Sequence, residues 1–227
     1  MLTEPQTDTA LLALDRAVAE AVRDRLVAPP AASADTQAIS VRQTLAGLTL
    51  AQSAAVRAVL GRIDAAQGLP LVVWGSSAQV LAADRFGLSA RIAAEPEQAL
   101  AAVRAGSRAL MDLTPAKPWW GRLLAEPKLR IVSALPDDRH GTPRVLMVQQ
   151  TQPGPTGDDR TFWVTDSPSA DTRIVESLSA AGLAATPLIA AGGLKLFTLA
   201  GYVQAEDDRL SDAPGSLHGI IGAAPLF

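Results

Sequence analysis

The sequence contains no cysteine, few aromatic residues and no long apolar run, and each shortage excludes a class of protein. Without cysteine, neither a disulfide framework nor a thiolate metal site can form. Four tryptophans, four phenylalanines and one tyrosine are too few and too dispersed to build a stacking platform for nucleic-acid bases. The longest apolar runs fall well short of the roughly 20 residues that a membrane-spanning helix needs. We therefore expect no membrane partner and no metal or other cofactor.

Clustered positive charge is also missing. The net charge is −3, the sequence pI is about 5.4, and the arginines are scattered along the chain. A protein that binds nucleic acid needs Lys and Arg gathered on one surface, so that they can displace counterions from phosphates. The first ten residues have neither the basic region nor the apolar region of a signal peptide. These observations predict a cytoplasmic protein that binds no nucleic acid.

The residues that are present indicate a folded chain of mixed class. Hydrophobic residues make up 48% of the sequence and charged residues 19%, which is typical of globular proteins. Residues 1–68 are rich in alanine and leucine, and apolar residues at helical spacing predict a helix at 10–28 that ends at Pro29 and Pro30. Shorter helices are expected at 37–47 and 50–67.

Residues 69–151 alternate between short apolar strands and helices. Strands are predicted at 71–75, 90–94, 108–113, 131–135 and 144–149, with helices between them. This alternation favours a small, mostly parallel sheet covered by helices. Trp119 and Trp120 begin one of these helices, where they either close the sheet or, if both are exposed, form a partner surface.

A linker at 152–159 leads to a third segment, residues 157–227. Its pattern of strand, helix, two strands, short helix and strand is the βαββαβ order of a ferredoxin-like domain. Gly192 and Gly193 provide the positive φ angles of a tight hairpin. The predicted fold class is therefore α/β (α+β): an N-terminal helical segment, a small sheet with helices, and a ferredoxin-like domain.

The three segments, in this order, resemble an all-helical chorismate mutase, the first lobe of a prephenate dehydratase and the ACT domain that follows it. The resemblance is carried mainly by KLFTLAGYV and IIGAAPLF near the C-terminus. It implies a dimer and a ligand from aromatic amino acid biosynthesis.

For the mutase segment, the resemblance implies catalytic roles for Arg25 and Gln67. Arg25 corresponds to the arginine near the end of the family's first helix, and Gln67 to its late glutamine. Mutases of this type stabilise a pericyclic transition state by position and charge. The chain departs from this pattern, because the first-helix arginine aligns with Asp8 and the charged cluster of the second helix reads Gln37, Ser40 and Val41. The alternative for Arg25 is a structural arginine that extends out of the core or pairs with an acid.

The dehydratase segment lacks the catalytic threonine of the TRF motif, which reads Pro143-Arg144-Val145. The glycine-rich turn reads Gly75, Ser76 and Ser77, and the segment matching PIENS contains Thr114. We take these four residues as candidate ligand-binding residues, because backbone N–H groups at a helix start can hold an anion. The alternative is that a serine only caps the helix.

The ACT-like segment lacks the motifs that bind phenylalanine. At the position of the family's PGAL turn, residues 167–170 of this chain are SPSA. At the position of the ESRP motif, residues 186–189 are TPLI. The acidic run at 206–208 is more typical of a solvated loop than of a cation site. His140 and His218 have no evident catalytic partner.

Three hypotheses about function follow. The first is a catalytically degenerate protein that acts as an accessory or regulatory factor in aromatic amino acid biosynthesis. Its partner would be chorismate, prephenate, phenylalanine or tyrosine, or else a pathway enzyme. The second is a weakly active chorismate mutase that converts chorismate to prephenate. The third is a dimeric scaffold with no metabolite ligand. In each case we expect a homodimer formed through the C-terminal segment.

Overall fold

The structure is a computed structural model that describes residues 8–27 and 34–227. The α-helices in this part of the chain are α1 (Thr9–Val27), α2 (Ala34–Leu45), α3 (Leu50–Gln67), α4 (Ser76–Phe86), α5 (Pro96–Arg104) and α6 (Asp171–Ala180). The strands are β1 (Leu71–Trp74), β2 (Arg91–Ile92), β3 (Arg108–Asp112), β4 (Arg130–Leu135), β5 (Val145–Gln149), β6 (Asp159–Thr165), β7 (Ala185–Ala191), β8 (Leu194–Ala200) and β9 (His218–Pro225). The mixed α/β class is confirmed. The break predicted at Pro29 and Pro30 lies outside the described residues.

All of these strands join one sheet in the order β2-β1-β3-β5-β4-β9-β6-β8-β7. In its first half, β1 is parallel to β2 and β3, whereas β5 is antiparallel to both β3 and β4. The connection from β4 to β5, residues 136–144, is shorter than the dozen or more residues that a parallel crossover needs, so this pair must be antiparallel. Parallel and antiparallel pairs are therefore mixed within the segment for which the sequence pattern indicated a mostly parallel sheet.

The second half of the sheet has the strand order of a ferredoxin-like domain. Strands β9, β6, β8 and β7 pair antiparallel, and α6 connects β6 to β7. The hairpin predicted between β7 and β8 is confirmed, with φ angles of 60° at Gly192 and 78° at Gly193. A single 3₁₀ turn, Asp208–Leu210, lies where the short second helix was expected. Assignment to the ACT family stays a prediction.

The two faces of the first half-sheet are covered by different helices. Alternate strand residues point toward α5 and a 3₁₀ helix at Trp119–Leu124, where Trp119 and Trp120 are buried. Their burial contradicts the alternative of an exposed tryptophan surface. The opposite face, which includes Leu110, Val132 and Met147, packs against α4.

Helices α1, α2 and α3 cover the sheet on the α4 side. Thr49 begins α3 with a capping box in which its side chain and that of Gln52 each accept from the other's backbone N–H. Arg42 of α2 attaches the helices to the C-terminal segment, because its guanidinium donates to the carbonyl oxygens of Thr156, Asp158 and Leu226. The helices are thus held over an interior space whose walls come from all three parts of the sequence.

The domain boundaries drawn from the sequence, 1–68, 69–151 and 157–227, stay predictions. The second and third segments share the sheet through β4 and β9, which pair in parallel at Ile131 and Gly222. The homodimer also stays a prediction. Strand β7 is the edge strand of the C-terminal segment, and its exposed Pro187 has no N–H to offer a neighbouring strand.

Candidate functional site

A cavity of about 550 Å³ lies between the three N-terminal helices and the sheet. This volume is in the range of small-molecule binding sites. Its walls come from α1, α2, α3, the end of α4, strands β3, β4 and β5, and the end of the chain. The charged side chains in the lining are Arg25, Arg57, Asp64, Arg85, Arg108 and Asp137. Four arginines therefore face two aspartates.

Arg57, Arg85 and Asp137 form the first of two charge clusters in the cavity wall. Arg57 Nη1 lies 2.5 Å and Arg85 Nη2 3.0 Å from carboxylate oxygens of Asp137, whose side chain is 7% exposed. The close approach of α3 and α4 depends on Gly61, since a Cβ at this position would lie 3.1 Å from the carbonyl carbon of Arg85. Both arginines in this cluster thus have a carboxylate partner within the chain.

Arg25, Asp64 and Arg108 form the second cluster, and its hydrogen bonds are incomplete. Arg25 Nη1 is 3.4 Å from Asp64 Oδ1. Among the described residues, Arg25 Nη1, Arg108 Nε and Arg108 Nη2 are buried atoms with no hydrogen-bond partner. Arg108 is only 7% exposed, and its Cζ lies 5.1 Å from the centre of the Phe86 ring. Unpaired buried donors of a cation carry a free-energy penalty.

Burial shifts the pKa values of the second cluster toward the neutral forms. Desolvation raises the pKa of Asp64, and the nearby charges of Arg25 and Arg108 oppose this effect. Desolvation likewise lowers the pKa of Arg108, with Asp64 acting in the opposite direction and Arg25 adding to the decrease. The charged forms of Asp64 and Arg108 are therefore less well solvated here than in water. A bound ion of opposite charge would offset this loss of solvation for the arginine.

The remaining lining combines neutral polar and apolar groups. Gln37, Ser133, Gln149, Gln150 and Thr151 provide hydrogen-bonding side chains. The apolar part of the wall is made of Ala38, Val41, Leu60, Leu69, Phe86, Val132, Met147, Pro225 and Phe227. Such a surface fits a small organic ligand that carries negative charge on a partly apolar body.

The structure separates the two residues expected to act together in catalysis. Arg25 lines the cavity and pairs with Asp64, as the structural alternative also predicted. Gln67, at the end of α3, is exposed and is not part of the cavity wall. A catalytic role for either residue stays a prediction.

The candidate anion site at the start of α4 already holds a carboxylate of the chain itself. Asp112 accepts from the backbone N–H groups of Ser77, at 3.1 Å, and Ala78, at 2.5 Å. The N-cap is Gly75, with φ of 97°, and neither serine caps the helix with its side chain. A Cβ at Gly75 would lie 2.6 Å from the Asp112 Cβ, so glycine is needed for this approach. An external anion would have to displace Asp112.

Thr114 lies just beyond β3 and outside the cavity wall. Its side-chain oxygen accepts from the N–H of Ala116 at 3.4 Å. Ligand binding by Gly75, Ser76, Ser77 and Thr114 stays a prediction, and the structure does not bring these residues to the cavity.

Replacing Asp112 with alanine tests the helix start. We expect the free energy of unfolding to fall by about 1–2 kcal/mol, as for other lost N-terminal caps, measured by urea denaturation. Inorganic phosphate should then stabilise D112A more than the wild type, because the N–H groups of α4 have become free. An unchanged urea midpoint for D112A would show that this carboxylate does not stabilise α4.

The other polar candidates are not arranged as sites. Hydrogen bonds from the guanidinium of Arg209 and from its backbone N–H lower the pKa of Asp207 to about 2, so this member of the acidic run already has a partner nearby. Within residues 8–27 and 34–227, no group of three or more His, Asp or Glu side chains is placed to hold a metal ion. In the same residues no helix has the length and apolar character needed to cross a bilayer.

Sequence reasoning did not identify Arg57, Arg85, Arg108, Asp64 or Asp137 as site residues. One signal was present, since Arg57, Gly61 and Asp64 recur at helical spacing beside the buried Leu60. No comparable signal marks Arg85, Arg108 or Asp137 in the sequence. Arg108 begins an apolar strand, and Asp137 belongs to a polar loop.

No protein-family model and no curated protein matches the chain. Among solved structures, the chain is similar to GqqA, described as a novel type of quorum quenching acylase, with 22% identity and a TM-score of 0.48. The similarity covers 69% of this chain and 95% of that one. It is also similar to prephenate dehydratase from Arthrobacter aurescens in complex with L-Phe, with 11% identity over 68% of this chain and 89% of that one and a TM-score of 0.40. These similarities are weak, and the family assignment made from the sequence stays a prediction.

Proposed function

We propose that this chain binds a small organic carboxylate in the cavity between its N-terminal helices and the sheet. The observation that carries the proposal is the convergence of four arginines, from α1, α3, α4 and β3, on one cavity whose described lining includes two aspartates. Gathering like charges around a partly buried space opposes folding, so stability alone does not account for the arrangement. A bound anion would offset that cost.

The role that best fits such binding is accessory or regulatory rather than catalytic. The motifs expected of a chorismate mutase and of a prephenate dehydratase are incomplete in this sequence. The cavity is bordered by the N-terminal helices, the middle sheet and the end of β9, so a ligand there would contact all three segments. We therefore propose a regulatory or accessory protein of aromatic amino acid biosynthesis. The cytoplasmic location and the homodimer remain part of this proposal.

A thermal-shift and calorimetry panel tests the binding function. Chorismate, prephenate, phenylalanine, tyrosine and 3-phenylpropionate are the carboxylate probes, and 3-phenylpropanol is the matched neutral control. We expect at least one carboxylate to raise the melting temperature in a concentration-dependent way, because a ligand that binds only the native state stabilises it. The alcohol should have no comparable effect. If no carboxylate bound, the proposal would be wrong and the scaffold hypothesis would be preferred.

Weak chorismate mutase activity is the second candidate, and one observation favours it. Arg25 shares the cavity with Arg57, Arg108 and Gln37, so cationic groups absent from the family positions are replaced by others. A pericyclic rearrangement needs only position and electrostatic stabilisation.

We nevertheless expect turnover far below that of ordinary chorismate mutases. Each missing contact to the developing charge typically costs about 10²–10³ in rate, and Gln67 lies outside the cavity. Chorismate consumption by purified protein, followed by absorbance, measures this. Turnover at ordinary rates that is lost in R25A would contradict the accessory role and establish the enzyme.

A further inference from the structure

The unpaired edge of Arg108 indicates where the ligand's head group is held. Nε and Nη2 lie on the same edge of the planar guanidinium group, and their two N–H bonds are nearly parallel. This edge matches the two oxygens of a carboxylate and binds them through two hydrogen bonds. Both of these nitrogen atoms are buried and lack partners among the described residues.

The rest of the Arg108 side chain is fixed by the protein. Its residue begins β3, where its backbone N–H donates to the carbonyl oxygen of Pro70 at 2.9 Å. The ring of Phe86, from the end of α4, faces the guanidinium at 5.1 Å. An arginine held at both its backbone and its guanidinium face, but unpaired along one edge, is preorganised for a planar anion.

The charges around Arg108 limit the charge of that anion. Arg25 and Arg108 carry two positive charges, and Asp64, which is 3.4 Å from Arg25, carries one negative charge. One positive charge therefore remains in the cluster. A carboxylate balances it, whereas a phosphate monoester, with a charge of about −1.5 to −2 at pH 7, exceeds it beside Asp64.

Arg57 and Arg85 do not offer an equivalent place. Both are bound to Asp137, a residue only 6% exposed. Among the described side chains that line the cavity, the buried donors without a hydrogen-bond partner are therefore those of Arg25 and Arg108.

We infer that the Nε–Nη2 edge of Arg108 binds a monoanionic carboxylate of the ligand, with Arg25 as a second donor and Asp64 as an internal counter-ion that disfavours phosphate esters. This assignment rests on the proposed binding function and adds the residue that holds the head group and the class of head group selected.

The first test compares R108K with the wild type by titration calorimetry. Lysine keeps the positive charge but cannot form the paired hydrogen bonds, so we expect every carboxylate that binds the wild type to bind R108K about 10- to 100-fold more weakly. The control is R173K, on the exposed surface of α6, which should bind as the wild type does. Circular dichroism melting shows whether R108K is folded.

The second test leaves Arg108 in place. At pH 7.5, 3-phenylpropionate should bind at least about 10-fold more tightly than 2-phenylethyl phosphate. D64N should bind both probes more tightly than the wild type and reduce the preference between them.

Arg25 of α1 and Arg108 of β3 are the charged groups that act on Asp64, while Arg57, Arg85 and Asp137 share the cavity. Because the pKa of Asp64 is raised by desolvation, its protonation as the pH falls should strengthen the binding of 3-phenylpropionate to the wild type, and this pH dependence should be weaker in D64N.

The outcomes distinguish this inference from the proposed function. Carboxylate binding that is unchanged in folded R108K would overturn the assignment of Arg108 and leave the binding function intact. Equal or tighter binding of the phosphate ester would overturn the selection of a carboxylate. Failure of every probe to bind the wild type would overturn both.

Discussion

Replacing Gly222 with alanine is expected to lower the free energy of unfolding by about 3 kcal/mol, combining the usual costs of a positive φ angle and of overpacking. Gly222 lies in β9 with a φ of 144°, opposite Ile131 of β4. A Cβ at this position would lie 2.7 Å from the Ile131 Cα and still closer to that residue's backbone nitrogen and oxygen. Because the obstructing atoms are backbone, the clash cannot be relieved by a side-chain rotation.

The location of Gly222 makes this effect large. It pairs with Phe162 of β6 next to a β-bulge and with Ile131 of β4, where the two halves of the sheet meet. Moving β9 away from β4 would therefore disturb a buried region that includes Ile131, Phe162 and Ile221. Urea denaturation followed by tryptophan fluorescence measures the change.

Gly182 provides the control for G222A. Its φ is 80°, but a Cβ there would meet no atom within 4 Å. G182A should therefore cost only the backbone penalty of about 1–2 kcal/mol. Equal losses for the two variants would show that the sheet junction at Gly222 can relax and that its backbone packing does not exclude a Cβ.

The elements of this fold were largely predictable because local chemistry defines them. The helix expected at 50–67 is α3, Leu50–Gln67, since its apolar spacing and its Thr49 cap depend only on neighbouring residues. The hairpin at Gly192 and Gly193 followed from the need for positive φ angles. A helix was also expected at 119–125, and the structure has a 3₁₀ helix at Trp119–Leu124.

The strand order and the site were not predictable from local patterns. No residue in β5 indicates that it lies between β3 and β4, because that position is decided by packing across the whole sheet. The arginines of the cavity are separated by up to 83 residues, between positions 25 and 108. The role of Asp112 at the start of α4 could not be predicted either, because it depends on a hydrogen bond to Ala78, which lies 34 residues away in sequence.

The cavity arginines also change how the missing motifs are interpreted. The sequence departs from the mutase pattern at charged positions of the first and second helices. The structure places Arg57, Arg85 and Arg108 around the same space as Arg25. Positive charge is thus present, and it comes from positions that alignment to the family's helices would not consider.

Removing the charge of Asp137 should destabilise the protein and at the same time favour anion binding. Asp137 is 6% exposed and bonded to both Arg57 and Arg85. In D137N, two arginines in the cavity wall lose their carboxylate. Removing one partner of a buried ion pair typically costs about 3–5 kcal/mol, and the asparagine oxygen, which still accepts a hydrogen bond, should reduce this to about 2–4 kcal/mol.

The gain in anion binding separates this variant from an ordinary destabilising one. Among the described residues that line the cavity, D137N has four arginines and one aspartate, Asp64. The carboxylates that stabilise the wild type should therefore raise the melting temperature of D137N by a larger increment, and should bind it more tightly in calorimetry at low salt.

The matched control is D158N, because Asp158 pairs with the 67% exposed Arg139 at the surface. An exposed pair contributes only about 0–1 kcal/mol, so D158N should change neither stability nor anion binding appreciably. If D137N were destabilised but bound carboxylates no better than D158N, Asp137 would be a structural anchor for the helices and the cavity charge would not control binding.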